Sequence, residues 1–131
     1  MSKENGGSPI ILVVEDVEET RDGIEKLLKA DGYRIDPARD EPDAVVRALR
    51  EPPDLILLSL GGLPAELIAA ARRIREGGAL SGEVPIVIFC IQTIDEGAEV
   101  NIGANVYLTR PDNFNQLRDF IRRIFHKPLP A

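Results

Sequence analysis

The chain lacks several features that particular functional classes require. Its 131 residues include a single cysteine, Cys90, and a single histidine, His126. One cysteine excludes an intrachain disulfide and suits a reducing cytoplasm. No apolar run approaches the roughly 20 residues that span a bilayer, and no signal-peptide pattern opens the sequence. We therefore expect a cytoplasmic protein.

An excess of positive charge is also absent. Lys and Arg number 16 against 22 Asp and Glu, which gives a net charge of −6 at pH 7 and argues against direct nucleic-acid binding. No glycine-rich loop follows the first apolar run, where Glu15 and Asp16 stand instead. Nucleotide binding of the ordinary doubly wound kind is therefore not expected. The hydrophobic content of 44% is that of one globular domain.

The chain does contain an alternation of short apolar runs and helical patterns. The apolar runs predict strands over 10–14, 33–36, 55–58, 85–89 and 106–108. Apolar residues at helical spacing predict helices over 18–31, 42–51 and 65–76, and a final helix capped by Asp112. Residues 95–102 are at best a short helix, because Gly97 costs about 1 kcal/mol relative to alanine.

Five βα units with short connections predict a doubly wound, five-stranded parallel sheet with helices on both faces. This domain spans 9–127. Residues 1–8 are predicted to form a flexible tail, and 128–131 a C-terminal tail or the start of a linker. Ligands of such sheets bind at the carboxyl ends of the strands, near the point where the strand order reverses. The residues that follow those strand ends are Glu15, Asp16, Ser59, Cys90 and Arg110.

Each of these residues has an ordinary explanation when taken alone. Glu15 and Asp16 can cap the first helix, and Cys90 can be a small core residue. Together and with their spacing, they resemble the receiver domain of two-component response regulators over 10–127. The segments that carry the resemblance are ILVVEDVEETRDGIEKLLKADGYRIDPARD, PDLILLSLGGLP, VPIVIFC and GANVYLTRP. The resemblance implies a flavodoxin-like (βα)5 fold.

The resemblance also assigns roles to the strand ends. In the family, an aspartate after the third strand accepts a phosphoryl group and, with an acidic pair after the first strand, holds Mg²⁺. Glu15 and Asp16 match the acidic pair, but Ser59 stands where the acceptor aspartate is expected. Loss of that carboxylate removes the nucleophile and one magnesium ligand. We therefore expect Mg²⁺ binding at Glu15 and Asp16 to be weak or absent, and no other cofactor.

Three further positions differ from or match the family pattern. Cys90 replaces a hydroxyl residue, Arg110 replaces a lysine, and Tyr107 matches an aromatic residue that switches position on activation. A thiol is a poor hydrogen-bond donor to a phosphoryl group. Arginine can form a two-pronged pair with Asp16 or Glu15, so we predict that its guanidinium fills part of the pocket.

The resemblance and these substitutions predict a degenerate receiver. It would be a non-enzymatic protein-interaction module that works without aspartyl phosphorylation, with a histidine kinase or a downstream signalling protein as partner. The candidate partner surface is a basic stripe on the final helix, which can also be a merely solvated face or the contact of a homodimer. The stripe consists of Arg118, Arg122, Arg123 and Lys127.

Two alternatives stay open. The first is an active phosphoacceptor that uses Glu15, Asp16 or Ser59. The second is a ligand or redox sensor in the altered pocket, with Cys90 as an oxidisable thiol, although a buried inert thiol is the simpler interpretation.

Overall fold

The computed structural model describes residues 7–89 and 94–126. The elements along these residues are β1 (Ile10–Glu15), α1 (Glu18–Ala30), β2 (Arg34–Ala38), α2 (Glu41–Arg50), β3 (Leu55–Ser59), α3 (Pro64–Gly77), β4 (Ile86–Phe89), β5 (Glu99–Gly103), β6 (Val106–Thr109) and α4 (Phe114–Phe125). None of these helices has the length and apolar content needed to cross a bilayer. Most of the two predicted tails, residues 1–6 and 128–131, lies outside the described residues.

The strands form one sheet in the order β2-β1-β3-β4-β6-β5. Every neighbouring pair from β2 to β6 is parallel, and β5 alone runs antiparallel to its neighbour. The five parallel strands confirm the predicted doubly wound fold. Because β2 and β3 lie on opposite sides of β1, the strand order reverses there, and a binding site is expected at the carboxyl ends of β1 and β3.

The core has two layers, one on each face of the sheet. On the first face, α2 and α3 cover Leu12, Val14, Ile56 and Leu58. On the second face, α1 and α4 cover the alternate residues Ile11, Val13, Leu55 and Leu57. All eight of these strand residues are fully buried. This double burial explains why β1 and β3 are continuous apolar runs without polar alternation.

The segment 95–102 differs from the sequence prediction. It contains β5, an antiparallel edge strand, where the sequence pattern predicted at best a short helix. Gly97 has φ of 86°, and Ala104 and Asn105 have φ of 55° and 62°. Two consecutive left-handed residues are typical of a two-residue hairpin turn, so β5 folds back along β6. The predicted short helix is therefore wrong.

The final helix begins one residue later than predicted. Asn113, and not Asp112, caps α4, since its side-chain Oδ1 accepts the backbone N–H of Gln116 at 3.0 Å.

A single arginine fastens α3 to the hairpin. The guanidinium of Arg75 donates to the carbonyl oxygens of Ser81 at 2.7 Å, Val84 at 2.8 Å and Ala104 at 2.9 Å. Burial lowers the pKa of Arg75 from its ordinary value. One cation thus binds three carbonyl groups, and this holds the loop before β4 against the β5–β6 turn.

Candidate functional site

The carboxyl ends of β1 and β3 meet as the fold predicts. Glu15 and Ser59 are direct neighbours in the parallel register of these strands. They open into a cleft of about 500 Å³ that also takes in Asp16, the loop after β3, and Phe89 at the end of β4. The structure therefore brings Glu15, Asp16 and Ser59 together, as the sequence predicted.

Glu15 and Ser59 are joined by a short hydrogen bond. The Ser59 hydroxyl donates to Glu15 Oε1 at 2.6 Å, and the backbone N–H of Val17 donates to Oε2 at 3.1 Å. Only 5% of Glu15 is exposed. Each carboxylate oxygen therefore has a donor, as a buried carboxylate requires. The Arg21 side chain also fixes the backbone at Glu15, because its guanidinium donates to the Glu15 carbonyl oxygen at 2.8 Å.

This contact was not anticipated from the sequence. From the sequence, Ser59 was expected only to remove a nucleophile and a magnesium ligand. The register of β1 with β3 instead places a carboxylate within hydrogen-bond reach of the hydroxyl. The spacing of Glu15 and Ser59 at two neighbouring strand ends was the available signal.

The donor set fits Mg²⁺ poorly. Asp16 is exposed beside the cleft, and Glu15 has both carboxylate oxygens engaged. Ser59 offers a neutral hydroxyl where a third charge would be needed. Within residues 7–89 and 94–126, no group of three or more His, Cys, Asp and Glu side chains is arranged to hold a metal ion. Magnesium prefers carboxylate and water oxygens, so the two remaining acidic residues are the candidates for any weak site.

Arg110 does not lie where the sequence predicted. Its guanidinium donates to the carbonyl of Ile94 at 3.0 Å, and no ion pair joins it to Glu15 or Asp16 among the described residues. Its backbone is tied to the start of the hairpin, with Arg110 N–H donating to Ala98 O at 3.1 Å. Because a turn that leads into β5 replaces the expected helix, the Ile94 carbonyl lies beside Arg110 and accepts its hydrogen bond. The predicted two-pronged pair is wrong.

Tyr107 lies in the second core layer. The residue is 8% exposed, and its ring meets that of Phe120 edge to face with centroids 5.8 Å apart. The hydroxyl donates to Asn105 Oδ1 at 3.2 Å. The aromatic position is thus packed inward between β4 and β5, and its switching role stays a prediction.

The basic stripe on α4 is paired within the chain. Arg118 makes a two-pronged contact with Asp31, at 2.8 Å and 2.5 Å. Arg122 contacts Asp119 at 3.2 Å, and Arg123 contacts both Asp119 and Glu99. These partners are Asp31, which follows the last residue of α1, Glu99 of β5 and Asp119 of α4 itself. Of the four stripe residues, the three arginines that the structure describes are thus all paired.

The hydrogen bond from Arg118 lowers the pKa of Asp31 from its ordinary value, more than burial raises it. Two of the residues singled out from the sequence, Cys90 and Lys127, lie outside the described residues.

Comparisons with known proteins agree with the fold. No family model matches the sequence. The transcriptional regulatory protein DltR of Streptococcus agalactiae is 32% identical over 114 residues, which are 86% of this chain and 50% of that protein. The KDP operon transcriptional regulatory protein KdpE of Escherichia coli is 29% identical, over 86% of this chain and 49% of that protein. The chain thus spans about half the length of the curated relatives it matches.

Solved structures give the same result. The receiver domain of the sensor histidine kinase PA1611 from Pseudomonas aeruginosa superposes with a TM-score of 0.67 at 29% identity, over 92% of this chain and 100% of that one. The chain has the flavodoxin-like fold of receiver domains and is similar in sequence to two-component regulatory proteins. A second receiver domain, that of HemR from Leptospira biflexa, matches with a TM-score of 0.69 at 20% identity, over 95% of this chain and 99% of the other. The PA1611 receiver is described with a magnesium ion in its active-site cleft.

Proposed function

We propose that this receiver domain signals without aspartyl phosphorylation and acts as a protein-interaction module, with no catalytic activity of its own. The observation that carries the proposal is the 2.6 Å hydrogen bond from Ser59 to Glu15. A hydroxyl occupies the position that the receiver pattern gives to the acceptor carboxylate. It is engaged with the first of the two acidic residues that a receiver would offer to magnesium.

The chemistry of the site supports this proposal. A carboxylate at position 59 would attack a phosphodonor directly, whereas a serine hydroxyl must lose a proton to become a nucleophile. Glu15 and Asp16 alone supply fewer anionic oxygens for Mg²⁺ than three carboxylates would. Without a metal, the same two charges repel an anionic phosphodonor.

The expected partner is a protein of a two-component system. DltR and KdpE are named as transcriptional regulatory proteins, and PA1611 as a sensor histidine kinase. By analogy, this module would contact a histidine kinase or a downstream signalling protein. A homodimer through α4 is a less favoured arrangement, because Arg118, Arg122 and Arg123 are already paired within the chain.

The test is amide NMR during addition of Mg²⁺ and then beryllofluoride, a stable mimic of an aspartyl phosphate. We expect no clustered shifts around Glu15, Asp16, Ser59 and Tyr107 at millimolar metal. The matched control is Ser59→Asp, which restores a third carboxylate and should give saturable shifts with Mg²⁺ at the same residues. Saturable shifts in the unmodified chain that extend to Tyr107 would overturn the proposal.

A second function has one specific observation in its favour. The short contact between the Ser59 hydroxyl and the Glu15 carboxylate also has the geometry of a nucleophile beside a base. Ser59 Oγ would bond to the phosphorus of an acyl phosphate, its proton would pass to Glu15, and the carboxylate of the donor would leave. The product is a phosphoester that resists acid, so intact-mass spectrometry after treatment with acetyl phosphate would detect it. Ser59→Ala must abolish the signal for this alternative to hold.

A further inference from the structure

The two edges of the sheet differ in how they are protected. β2, at one edge, carries Pro37 and two charged residues, Arg34 and Asp36. Proline and charge on an edge strand are features that prevent another strand from pairing with it. β5, at the other edge, has the sequence EVNIG with neither lysine nor proline. Its only charge, Glu99, is paired with Arg123 at 2.8 Å.

Part of the β5 backbone is oriented so that it can hydrogen-bond to a further strand. In antiparallel strands the peptide groups turn alternately toward and away from the partner strand. Arg110 N–H donates to Ala98 O at 3.1 Å, so the groups of Ala98 and Val100 turn toward β6. Those of Glu99 and Asn101 then turn away from the sheet, at an edge where the described part of the chain places no other strand.

The side chains of β5 are apolar on one face. Val100 and Ile102 are each 38% exposed, although both are β-branched apolar residues. Ile102 borders a depression of about 180 Å³ together with Ile68 of α3 and Val106 of β6. These two side chains extend the apolar face that lies under α3.

We propose that β5 pairs with β5 of a second copy of this chain, antiparallel and about a two-fold axis through Asn101. All five residues of the strand then overlap, and Gly103 does so with its N–H already bonded to Asn101 Oδ1 at 2.9 Å. Val100 of one copy faces Ile102 of the other, and Glu99 faces Gly103, so no like charges meet. An axis through Glu99 would instead set two carboxylates opposite each other, which is unfavourable. The sequence of β5 is therefore complementary to itself in one register.

The contact is expected to be weak. β5 has only five residues, and its register is irregular between Asn101 and Gly103. Such irregularities bend an edge strand and limit further pairing. An interface of this size belongs to the small, transient class. The inference goes beyond the proposed function, since it holds whether or not Ser59 accepts a phosphoryl group.

Sedimentation velocity over micromolar to millimolar concentrations of the full chain tests the proposal. We expect a reversible dimer that Asn101→Pro abolishes, because proline lacks the outward N–H. The matched control is Asn101→Ala, which keeps that N–H and should keep the dimer. Val100→Lys, which adds an edge charge, should also give a monomer. Circular dichroism verifies that each variant is folded.

A cross-link tests the register. Residues opposite each other in a hydrogen-bonded antiparallel pair have Cα atoms about 5.5 Å apart, which suits a disulfide. In a Cys90→Ser background, Asn101→Cys should form a disulfide-linked dimer under oxidation, and Ser81→Cys on an exposed loop should not. A chain that is monomeric at every concentration overturns the proposal. So does a dimer that Asn101→Pro leaves unchanged, or pairing of β5 only with a different protein.

Discussion

At the scale of single residues, the contact between Ser59 and Glu15 decides what the cleft can do. The hydroxyl and the backbone N–H of Val17 together satisfy a carboxylate that is almost fully buried. Ser59 is thus a structural partner of Glu15. The carboxyl ends of parallel strands lie at the same edge of a sheet, and this rule alone predicted that Glu15, Asp16 and Ser59 lie together.

The position of Arg110 could not be predicted in the same way. Its guanidinium bonds a backbone carbonyl, and the presence of that carbonyl depends on the path of residues 94–98. Side-chain type and spacing say nothing about such a partner. The charge of Arg110 suggested a carboxylate as its partner, whereas the folded chain places the Ile94 carbonyl within hydrogen-bond distance instead.

Ser59→Ala tests the structural role of the hydroxyl. Removing it leaves the buried Glu15 Oε1 without that donor, so the free energy of unfolding should fall by about 1–3 kcal/mol. Urea denaturation followed by circular dichroism gives this value. Thr20→Ala removes a hydroxyl from an exposed site and should change stability by less than about 0.5 kcal/mol. Equal effects of the two substitutions would mean that the Ser59 hydrogen bond contributes little.

At the scale of elements, the replacement of a helix by β5 is the main departure from the prediction. Residues 99–102 alternate between polar and β-branched apolar side chains, which is a strand pattern. The segment is short, however, and the three preceding βα units favoured another helix after β4. The remaining helices were predicted within one residue at each end, because each has a clear apolar face and a proline, glycine or capping residue at a boundary.

The ion pair between Asp31, which caps the end of α1, and Arg118 of α4 should make stability depend on pH. Arg118 lowers the pKa of Asp31 below its ordinary value of 3.8. A depressed carboxyl pKa stabilises the fold above the unfolded value, and this contribution is lost as the pH falls through the folded pKa. Arg118→Gln should therefore lower the free energy of unfolding at neutral pH. The difference in this free energy between the variant and the unmodified chain should shrink as the pH drops below about 4.

Urea denaturation at a series of pH values measures this difference. Arg34→Gln is the control, because the Arg34–Glu51 pair is about half exposed on both sides and such pairs contribute little. A difference for Arg118→Gln that stays constant down to the lowest pH would contradict the assignment to Asp31.

At the scale of the whole molecule, the central strands of the sheet are shielded from solvent, whereas the β5–β6 hairpin at its edge is exposed. β1 and β3 are covered on both faces, whereas every residue of β5 except Glu99 is exposed. Local opening needs least free energy where few buried contacts must break. The site at the ends of β1 and β3 thus lies on the rigid part of the fold, and the proposed pairing surface on the part that opens most easily.

Hydrogen exchange at low protein concentration should follow this division. The amides of β1 and β3 should exchange only on global unfolding, and those of Glu99 and Asn101 should exchange orders of magnitude faster. At concentrations where copies pair, Asn101 should become slower while β1 and β3 stay unchanged. Strong protection of β5 in dilute solution would show that this edge is covered within a single chain.

The three carbonyls held by Arg75 suggest a place where the chain can be divided. The loop after α3 is exposed, and Gly82 has open space around it. A break there would leave β1, β2 and β3 with Arg75 on one piece, and β4, β5 and β6 on the other. Arg75 would then reach across the break to Val84 and Ala104. Two separately expressed halves would reassemble through the pairing of β3 with β4 and through the hydrogen bonds of Arg75. With a different protein fused to each half, reassembly would report that the two fused proteins are close together.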